Sequence, residues 1–171
     1  MADYTLLIFY STLALGVSFL CSILEAVVLS IPQTYVSVLE KDKKRTAAMW
    51  SYLKDDDSVR PLTAILTLNT VAHTMGAAGV GSEVAKQFGD SALTVASVIL
   101  TLAVLFFSEI IPKTLGAAYW KRLSTPSAYV LTWLTKMLVI LIGPIQMLKS
   151  ILPKGNQSIV TRDDLVAMAD L

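Results

Sequence analysis

The sequence predicts an all-α polytopic membrane protein with three transmembrane helices and additional juxtamembrane belt helices. Of its 171 residues, 54% are hydrophobic, and the mean hydropathy of +0.63 is too high for a typical soluble domain. The apolar residues are gathered in runs of the length that a helix needs to cross a bilayer, about 20 residues. These runs do not alternate between apolar and polar residues, which disfavours a closed β-barrel.

The first apolar run covers residues 4–31 and ends at Pro32. The residues before it lack the basic charges of a signal peptide, and the run is too long for the apolar region of one, so we expect an uncleaved span. The second run covers residues 61–81, and the third covers residues 91–115. Each of the three runs is predicted to form one transmembrane helix.

A fourth apolar stretch, residues 128–152, has Lys136 in its middle and a break at Gly143-Pro144. Each half has about ten residues, or ~15 Å of helix, which is shorter than the ~30 Å hydrocarbon core. We therefore predict two short helices that lie at the interface or dip into the membrane. A single kinked span with a snorkelling Lys136 is the alternative.

The distribution of basic residues predicts the orientation in the cell membrane. The segment 33–60 carries six lysines and arginines, whereas the segment between the second and third runs carries only Lys86. The positive-inside rule then places the N-terminus outside and both segment 33–60 and the C-terminus in the cytoplasm. Apolar positions interspersed among the charges of 33–60 predict two short amphipathic helices at the cytoplasmic membrane face. The acidic run 55–57 could attract cations, but a solvated turn is the simpler interpretation.

Several functional classes are disfavoured by composition. A net charge of +1 gives no indication of a nucleic-acid partner. The single cysteine, Cys21, allows neither a disulfide framework nor a CxxC metal motif. The sequence also lacks a GxSxG motif and a histidine-containing metal motif, and no second carboxylate is clearly paired with Glu109. We therefore expect a protein that is not an enzyme.

Glu109 is the residue that most clearly indicates function. It lies near the end of the third apolar run, where a charge at membrane depth costs ~2.5–3.5 kcal/mol on insertion scales. Pro112 follows it, removes a backbone donor and bends the helix, which frees carbonyl oxygens nearby. A carboxylate beside freed carbonyl oxygens is suited to binding a cation.

Polar residues in the first two runs fall at a similar depth. Ser18, Ser22 and Glu25 share one face of the first run, and Asn69 and His73 share one face of the second. Hydroxyl and amide groups in membrane helices often serve only to join helices, and Glu25 could snorkel to the interface. His73 is interpreted as a hydrogen-bonded packing group.

Depth along the helices brings Ser22, Asn69 and Glu109 into one layer, at 1.5 Å of rise per residue. Their side chains present hydroxyl, amide and carboxylate oxygens, which suit Mg²⁺ or Na⁺ better than zinc or copper. Backbone carbonyls around Pro112 and Gly116 could complete the coordination shell. The sequence thus suggests an intramembrane cation site lined by oxygen atoms.

Three motifs resemble one known family. The string E-I-I-P-K-T at 109–114 resembles the E-I-x-P-K signature of the DUF21 transmembrane domain in the CNNM/CorC magnesium transporters. The serines and glutamate of residues 18–26 are similar to that family's S-x-x-x-S-G-S-E helix, with Ile23 and Leu24 in place of small residues. Residues 68–70 resemble its G-N-T motif, with Leu68 in place of glycine.

The resemblance implies a homodimer in the lipid bilayer that exports Mg²⁺, coupled to Na⁺ entry. It implies a cation site formed by Ser18, Ser22, Asn69, Glu109 and, through its carbonyl, Gly116. It also implies that residues 1–155 form the transmembrane domain and that 156–171 begin a truncated cytosolic linker or CBS region. Thr161 as an N-cap, with Asp163 and Asp164 in the first turn, separately predicts a helix start there. A membrane-embedded cation sensor or scaffold that acts on another transporter is the competing hypothesis.

Overall fold

The computed structural model describes residues 4–42 and 44–138, which are helical almost throughout and contain no strand. Seven α-helices occur within these residues. They are α1 (Thr5–Ser30), α2 (Gln33–Lys41), α3 (Arg45–Lys54), α4 (Val59–Phe88), α5 (Leu93–Ala103), α6 (Ile111–Ala118) and α7 (Trp120–Met137). Short 3₁₀ turns, Asp55–Ser58 and Asp90–Ala92, precede α4 and α5, and a π-helical segment, Val104–Ile110, joins α5 to α6.

Two helical stretches within the described residues are long and apolar enough to cross a membrane: α1 and the continuous stretch Asp90–Ala118. They match the first and third predicted spans. The second predicted span lies in α4, which at 30 residues is longer than expected and long enough to cross. However, α4 is not among the two candidates, because threonine, asparagine, histidine and charged residues dilute its apolar character.

Helices α1 and α4 pack antiparallel along their length, in a regular register. The rings of Tyr4 and Phe88 stack with 6.3 Å between their centroids. About four turns further along α1, Ser18 is hydrogen-bonded to His73 of α4. Between these points, Gly79 lies against the ring of Tyr10 and Gly76 against Ala14. The small-residue end of the second run therefore packs two helices of the same chain closely together.

The third apolar stretch runs parallel to α1 on another side of it. The hydroxyl of Ser108 donates to the Leu15 carbonyl at 2.9 Å, and an added Cβ at Gly116 would lie 2.8 Å from the Ile23 carbonyl oxygen. Both contacts join residues 93 positions apart, which fixes the register of the two helices. Helix α1 is thus the common partner of α4, the π-helical segment and α6.

The two short helices expected in segment 33–60 are confirmed as α2 and α3. Trp50 of α3 is fully buried, and its indole N–H donates to the Ser124 carbonyl of α7 at 3.2 Å. Lys54 donates to the Val28 carbonyl at 2.8 Å and so satisfies an acceptor in the last turn of α1. Burial lowers the pKa of Lys54. The acidic run forms the 3₁₀ turn before α4, where Asp55 pairs with Arg60 at 3.4 Å.

Helix α7 begins at Trp120, eight residues before the fourth apolar stretch was expected to start. It is amphipathic, with Leu131 and Leu134 buried and Lys136 and Met137 exposed. The polar first half of α7 explains why hydropathy alone missed its beginning. The predicted break at Gly143-Pro144, the second belt helix and the expected helix start at Thr161 lie outside the described residues.

We predict that Gly76→Ala destabilises the fold by about 1–3 kcal/mol, a typical overpacking effect. A Cβ at position 76 would collide with the Ala14 side chain and lie 3.1 Å from its Cα, with little room to shift. Gly81→Ala, on the same helix, is the matched control, because nothing lies within 4 Å of an added Cβ there. Thermal unfolding in detergent checks this, and equal melting temperatures for the two variants would contradict the close α1–α4 contact.

Candidate cation site

The α1–α4 contact carries the first part of the candidate site. Ser18 is fully buried, and its Oγ shares a hydrogen bond of 2.7 Å with Nε2 of His73. This bond accounts for both side chains without a ligand, as expected for a histidine in a packing role. It also shows that Ser18 and the second run face each other, as a shared site requires.

One turn further along, the same register places Ser22 opposite Asn69. Ser22 follows Ser18 by four residues on α1, and Asn69 precedes His73 by four residues on the antiparallel α4. Within the described part of the chain, Ser22 Oγ and Asn69 Oδ1 are buried and have no hydrogen-bond partner. An unsatisfied buried polar atom costs about 1–3 kcal/mol, so two at the same level need an explanation.

The usual explanation for a hydroxyl in an apolar helix does not apply to Ser22. Thr70, Thr101 and Thr114 each donate to the carbonyl four residues earlier, at 2.8 Å. Such bonds satisfy the hydroxyl within its own helix. Because Ser22 makes no such bond, its oxygen remains free for another partner, and the facing amide oxygen of Asn69 is in the same condition.

Glu109 lies on the π-helical segment. A wider turn just before Pro112 relieves the clash of a proline ring with the carbonyl four residues back, since π-helical hydrogen bonds reach one residue further. Ser108 is buried and anchors the segment to the Leu15 carbonyl of α1. The neighbouring carboxylate of Glu109 is therefore held beside α1.

Lys113 joins two carboxylates from different helices. Its Nζ lies 3.0 Å from Glu109 Oε2 and 3.2 Å from Glu25 Oε2. Both glutamate side chains are 25% exposed, and that of Lys113 is 42% exposed. Glu25 therefore pairs within the helix assembly, and a second carboxylate stands close to Glu109. The sequence analysis did not predict this cluster of Glu25, Glu109 and Lys113. The i,i+4 spacing of Glu109 and Lys113 was the one local signal for it.

A cavity of about 300 Å³ opens beside these residues. Glu109, His73 and Thr101 supply its polar lining, and the remaining wall is apolar: Ala14, Ala77, Leu100, Val104 and Leu105. Glu109 thus belongs both to the cavity and to the paired carboxylates. The cavity is thus a mainly apolar recess that Glu109 and His73 reach from different helices.

Gly116 has a structural reason to be glycine. An added Cβ would lie 2.8 Å from the Ile23 carbonyl oxygen and 2.9 Å from the Ala26 Cβ. The residue is buried where α6 approaches α1 most closely. Its role in metal binding through the carbonyl stays a prediction.

The polar groups along these contacts offer oxygen atoms, apart from the imidazole of His73. The register of α1 and the π-helical segment puts Glu109 level with Gly16, nearly two helical turns from Ser22, so the single layer expected for Ser22, Asn69 and Glu109 is not formed by their backbones. Within the described ranges, 4–42 and 44–138, no group of three or more His, Cys, Asp and Glu residues could hold a metal ion. A cation bound here would rely on two carboxylates supplemented by hydroxyl and amide oxygens. That donor set fits Mg²⁺ or Na⁺ and does not fit zinc or copper.

Comparison with known proteins identifies the family. A model described as the cyclin M transmembrane N-terminal domain, CNNM, matches residues 9–171, nearly the whole chain. The chain belongs to the CNNM family. Together with its apolar helices, this makes it a membrane protein.

Curated relatives agree with this family. The UPF0053 protein sll1254 of Synechocystis is 29% identical over 92% of this chain and 44% of its own length. The UPF0053 inner membrane protein YfjD of Escherichia coli is 32% identical over 42% of this chain and 17% of its own length. A UPF0053 protein of Haemophilus influenzae is 31% identical over 58% and 23%. The chain thus spans less than half the length of these CNNM-like relatives.

The two candidate serines should respond differently to substitution. Ser18→Ala removes the hydrogen-bond partner of His73 Nε2, so we expect the free energy of unfolding to fall by about 1 kcal/mol when no divalent cation is present. Ser22→Ala removes an oxygen that has no hydrogen-bond partner among the described residues, so it should leave that stability unchanged or raise it slightly. Thermal unfolding in a chelator checks both, and an equal loss for Ser22→Ala would show that its hydroxyl has an internal partner.

Proposed function

We propose that this CNNM chain is the membrane domain of a Mg²⁺ transporter, which moves Mg²⁺ outward in exchange for Na⁺. The observation that carries the proposal is the pair of buried, unpartnered oxygens of Ser22 and Asn69 within the described residues. By the antiparallel register of α1 and α4, Ser22 of α1 lies at the same level as Asn69 of α4, and α1 also carries Glu25. A cation that accepts both oxygens would remove the cost of their burial.

The chemistry of the site favours a hard, divalent ion. Mg²⁺ binds oxygen ligands in near-octahedral geometry and keeps several waters, so one or two carboxylates with neutral oxygens suffice. Glu109 supplies the charge in this proposal, and Ser22 and Asn69 supply neutral oxygens. Ser18 supplies a further one through the lone pair that its hydrogen bond to His73 leaves free. The Gly116 carbonyl is a further ligand. The cavity beside Glu109 and His73 provides room for the waters.

The proposed topology has three spans, with α4 as the second. Its polar residues Asn69 and His73 lie against α1, so they do not need to contact lipid. The excess of basic residues in segment 33–60 supports an outside N-terminus and a cytoplasmic C-terminus. We propose a homodimer in the cell membrane, since many large apolar side chains of the described residues are exposed to lipid or to a second copy. A cytosolic CBS-pair module is its proposed regulatory partner.

One observation favours a second candidate function, a cation sensor or scaffold for another transporter. Lys113 already forms ion pairs with both carboxylates, as it would in a purely structural ion-pair network. A sensor would bind the cation and change conformation without moving the ion. Ion flux by the purified chain in liposomes separates these two functions.

We expect Mg²⁺ flux in proteoliposomes that depends on a Na⁺ gradient, and Glu109→Gln should reduce it at least tenfold. The substitution keeps the shape of the side chain and removes the charge that binds the cation. Glu83→Gln is the control, because Glu83 is also a glutamate of the described helices paired with a lysine, Lys86, but lies at the far end of α4. Its flux should stay near the wild-type value.

The outcomes separate the candidate functions. Mg²⁺-dependent stabilisation of wild type without any flux would favour the sensor. Wild-type flux in Glu109→Gln would move the transport site away from the π-helical segment.

Asn69→Ala should weaken Mg²⁺ binding more than His73→Ala does. The Asn69 oxygen is free to ligate, whereas His73 already has Ser18 as a hydrogen-bond partner. The measurement is the rise in melting temperature with Mg²⁺, since a ligand stabilises the folded protein more when it binds that protein more tightly. Equal or reversed losses would remove Asn69 from the proposed ligand set.

A further inference from the structure

We propose that Lys113 is a tethered cation: its ammonium group occupies the carboxylates of Glu25 and Glu109 when no metal ion is bound, and an incoming ion must displace it. The inference rests on the proposed function, because it assigns a specificity-determining role at the same site. It differs from a structural ion pair in one consequence. Removing Lys113 should strengthen cation binding even though it weakens the metal-free fold.

The geometry of Lys113 is unlike that of the other ion pairs in the described part of the chain. Its Nζ contacts one carboxylate from α1 and one from the π-helical segment, at 3.2 and 3.0 Å. Lys44, Arg60 and Lys86 each contact a single carboxylate. Lysine carries three N–H donors on a compact charge, so one ammonium group can serve two acceptors in the way that a small metal ion does.

The lysine is also able to leave. Its side chain is 42% exposed and has a flexible four-carbon stem, so the head group can turn away from the carboxylates without repacking the core. The two glutamates are more enclosed, at 25% exposure each. An exchange between lysine and metal ion would therefore move the lysine and leave the carboxylates in place.

Charge explains why the exchange favours a divalent ion. Two carboxylates with one ammonium group leave a net charge of −1, and replacing the ammonium by Na⁺ leaves it unchanged. Replacing the ammonium by Mg²⁺ brings the site to zero, which is the better state where little water is present. Lys113 thus raises the threshold for every cation, and the two carboxylates that it occupies favour a divalent ion as its replacement.

The competition also sets the affinity. An ion that must first displace the lysine binds only the fraction of molecules in which the carboxylates are free, and its apparent affinity is reduced by that fraction. Weaker binding helps an ion to leave the site after it has moved. When the ion leaves, the lysine returns and prevents two bare carboxylates from facing each other.

The first test uses Lys113→Met, which has a similar length and no charge, with Lys113→Arg and Lys121→Met as controls. Lys121 is an exposed lysine that forms no ion pair with the described residues. Calorimetric titration of the purified chain with MgCl₂ should give a Kd roughly three- to tenfold lower for Lys113→Met. Lys121→Met should stay near wild type, and Lys113→Arg, which keeps a competing charge, should not show the lower Kd of Lys113→Met. An unchanged or higher Kd for Lys113→Met would overturn the proposal.

The second test needs no metal ion and therefore stands apart from transport. In a chelator, Glu25→Gln should lower the melting temperature of wild type, since it breaks an ion pair. In the Lys113→Met background, Glu25→Gln should instead raise the melting temperature, because the substitution relieves the repulsion between Glu25 and Glu109. The reversal of sign is the coupling expected of a double-mutant cycle. The same sign in both backgrounds would overturn the tether.

The two tests also distinguish this inference from the function on which it rests. Reversal of sign in the chelator, with no binding of Mg²⁺ by wild type and clear binding by Lys113→Met, supports the tether and argues against transport by this chain. Absence of Mg²⁺ binding by both proteins overturns both proposals. If Lys113→Met does not fold alone, the Glu25→Gln/Lys113→Met double variant should fold and still bind Mg²⁺, and failure of that variant to bind overturns the tether.

Discussion

The close packing of α1 against two other helices is the constraint on which the rest of the structure depends. Gly76 and Gly79 allow α4 to approach one side of α1, and Gly116 allows α6 to approach another. These contacts set an antiparallel register on the first side and a parallel one on the second. Because both registers are fixed by the same helix, polar groups that are 50 to 90 residues apart along the chain meet at one level, as Ser18 and His73 do.

The polar groups along these helix contacts fall into two kinds. Ser18, His73 and Ser108 have internal hydrogen bonds, which join the helices and carry no need for a ligand. Ser22 and Asn69 have buried oxygens without such bonds in the described part of the chain. The satisfied groups join the helices, and the unsatisfied ones are where the proposed cation would gain most by binding. A site of this kind exchanges some stability of the empty protein for affinity toward an oxygen-seeking ion.

Sequence patterns predicted the helices well and the contacts between them poorly. Pro32 marked the end of α1, and apolar residues among the charges of 33–60 predicted α2 and α3, because both signals are local. The π-helical segment was not predicted beyond a bend near Pro112, and α7 begins earlier than its apolar stretch. The pairing of Glu25 with Lys113 depends on the parallel register of α1 and α6, which no local pattern encodes. The three-span prediction requires α4 to cross the bilayer. The polar residues of α4 that belong to the candidate site, Asn69 and His73, also lower the hydropathy of this helix.

The π-helical segment links the frame to the charged part of the site. Two adjacent residues of this segment make different contacts. Ser108 donates a hydrogen bond to the backbone of α1, whereas Glu109 lines the cavity and pairs with Lys113. Lys113 lies beyond Pro112 on α6, so the ion pair from Glu109 to Lys113 crosses the change from π- to α-helical geometry. A change in the hydrogen-bond register of that turn would therefore alter the distance between carboxylate and ammonium without disturbing α1. Glu25, the other carboxylate that contacts Lys113, is on α1 and does not move with the π-helical turn. The ion pairs of Lys113 are therefore coupled to the geometry of that turn, and a cation that replaced the lysine would affect both.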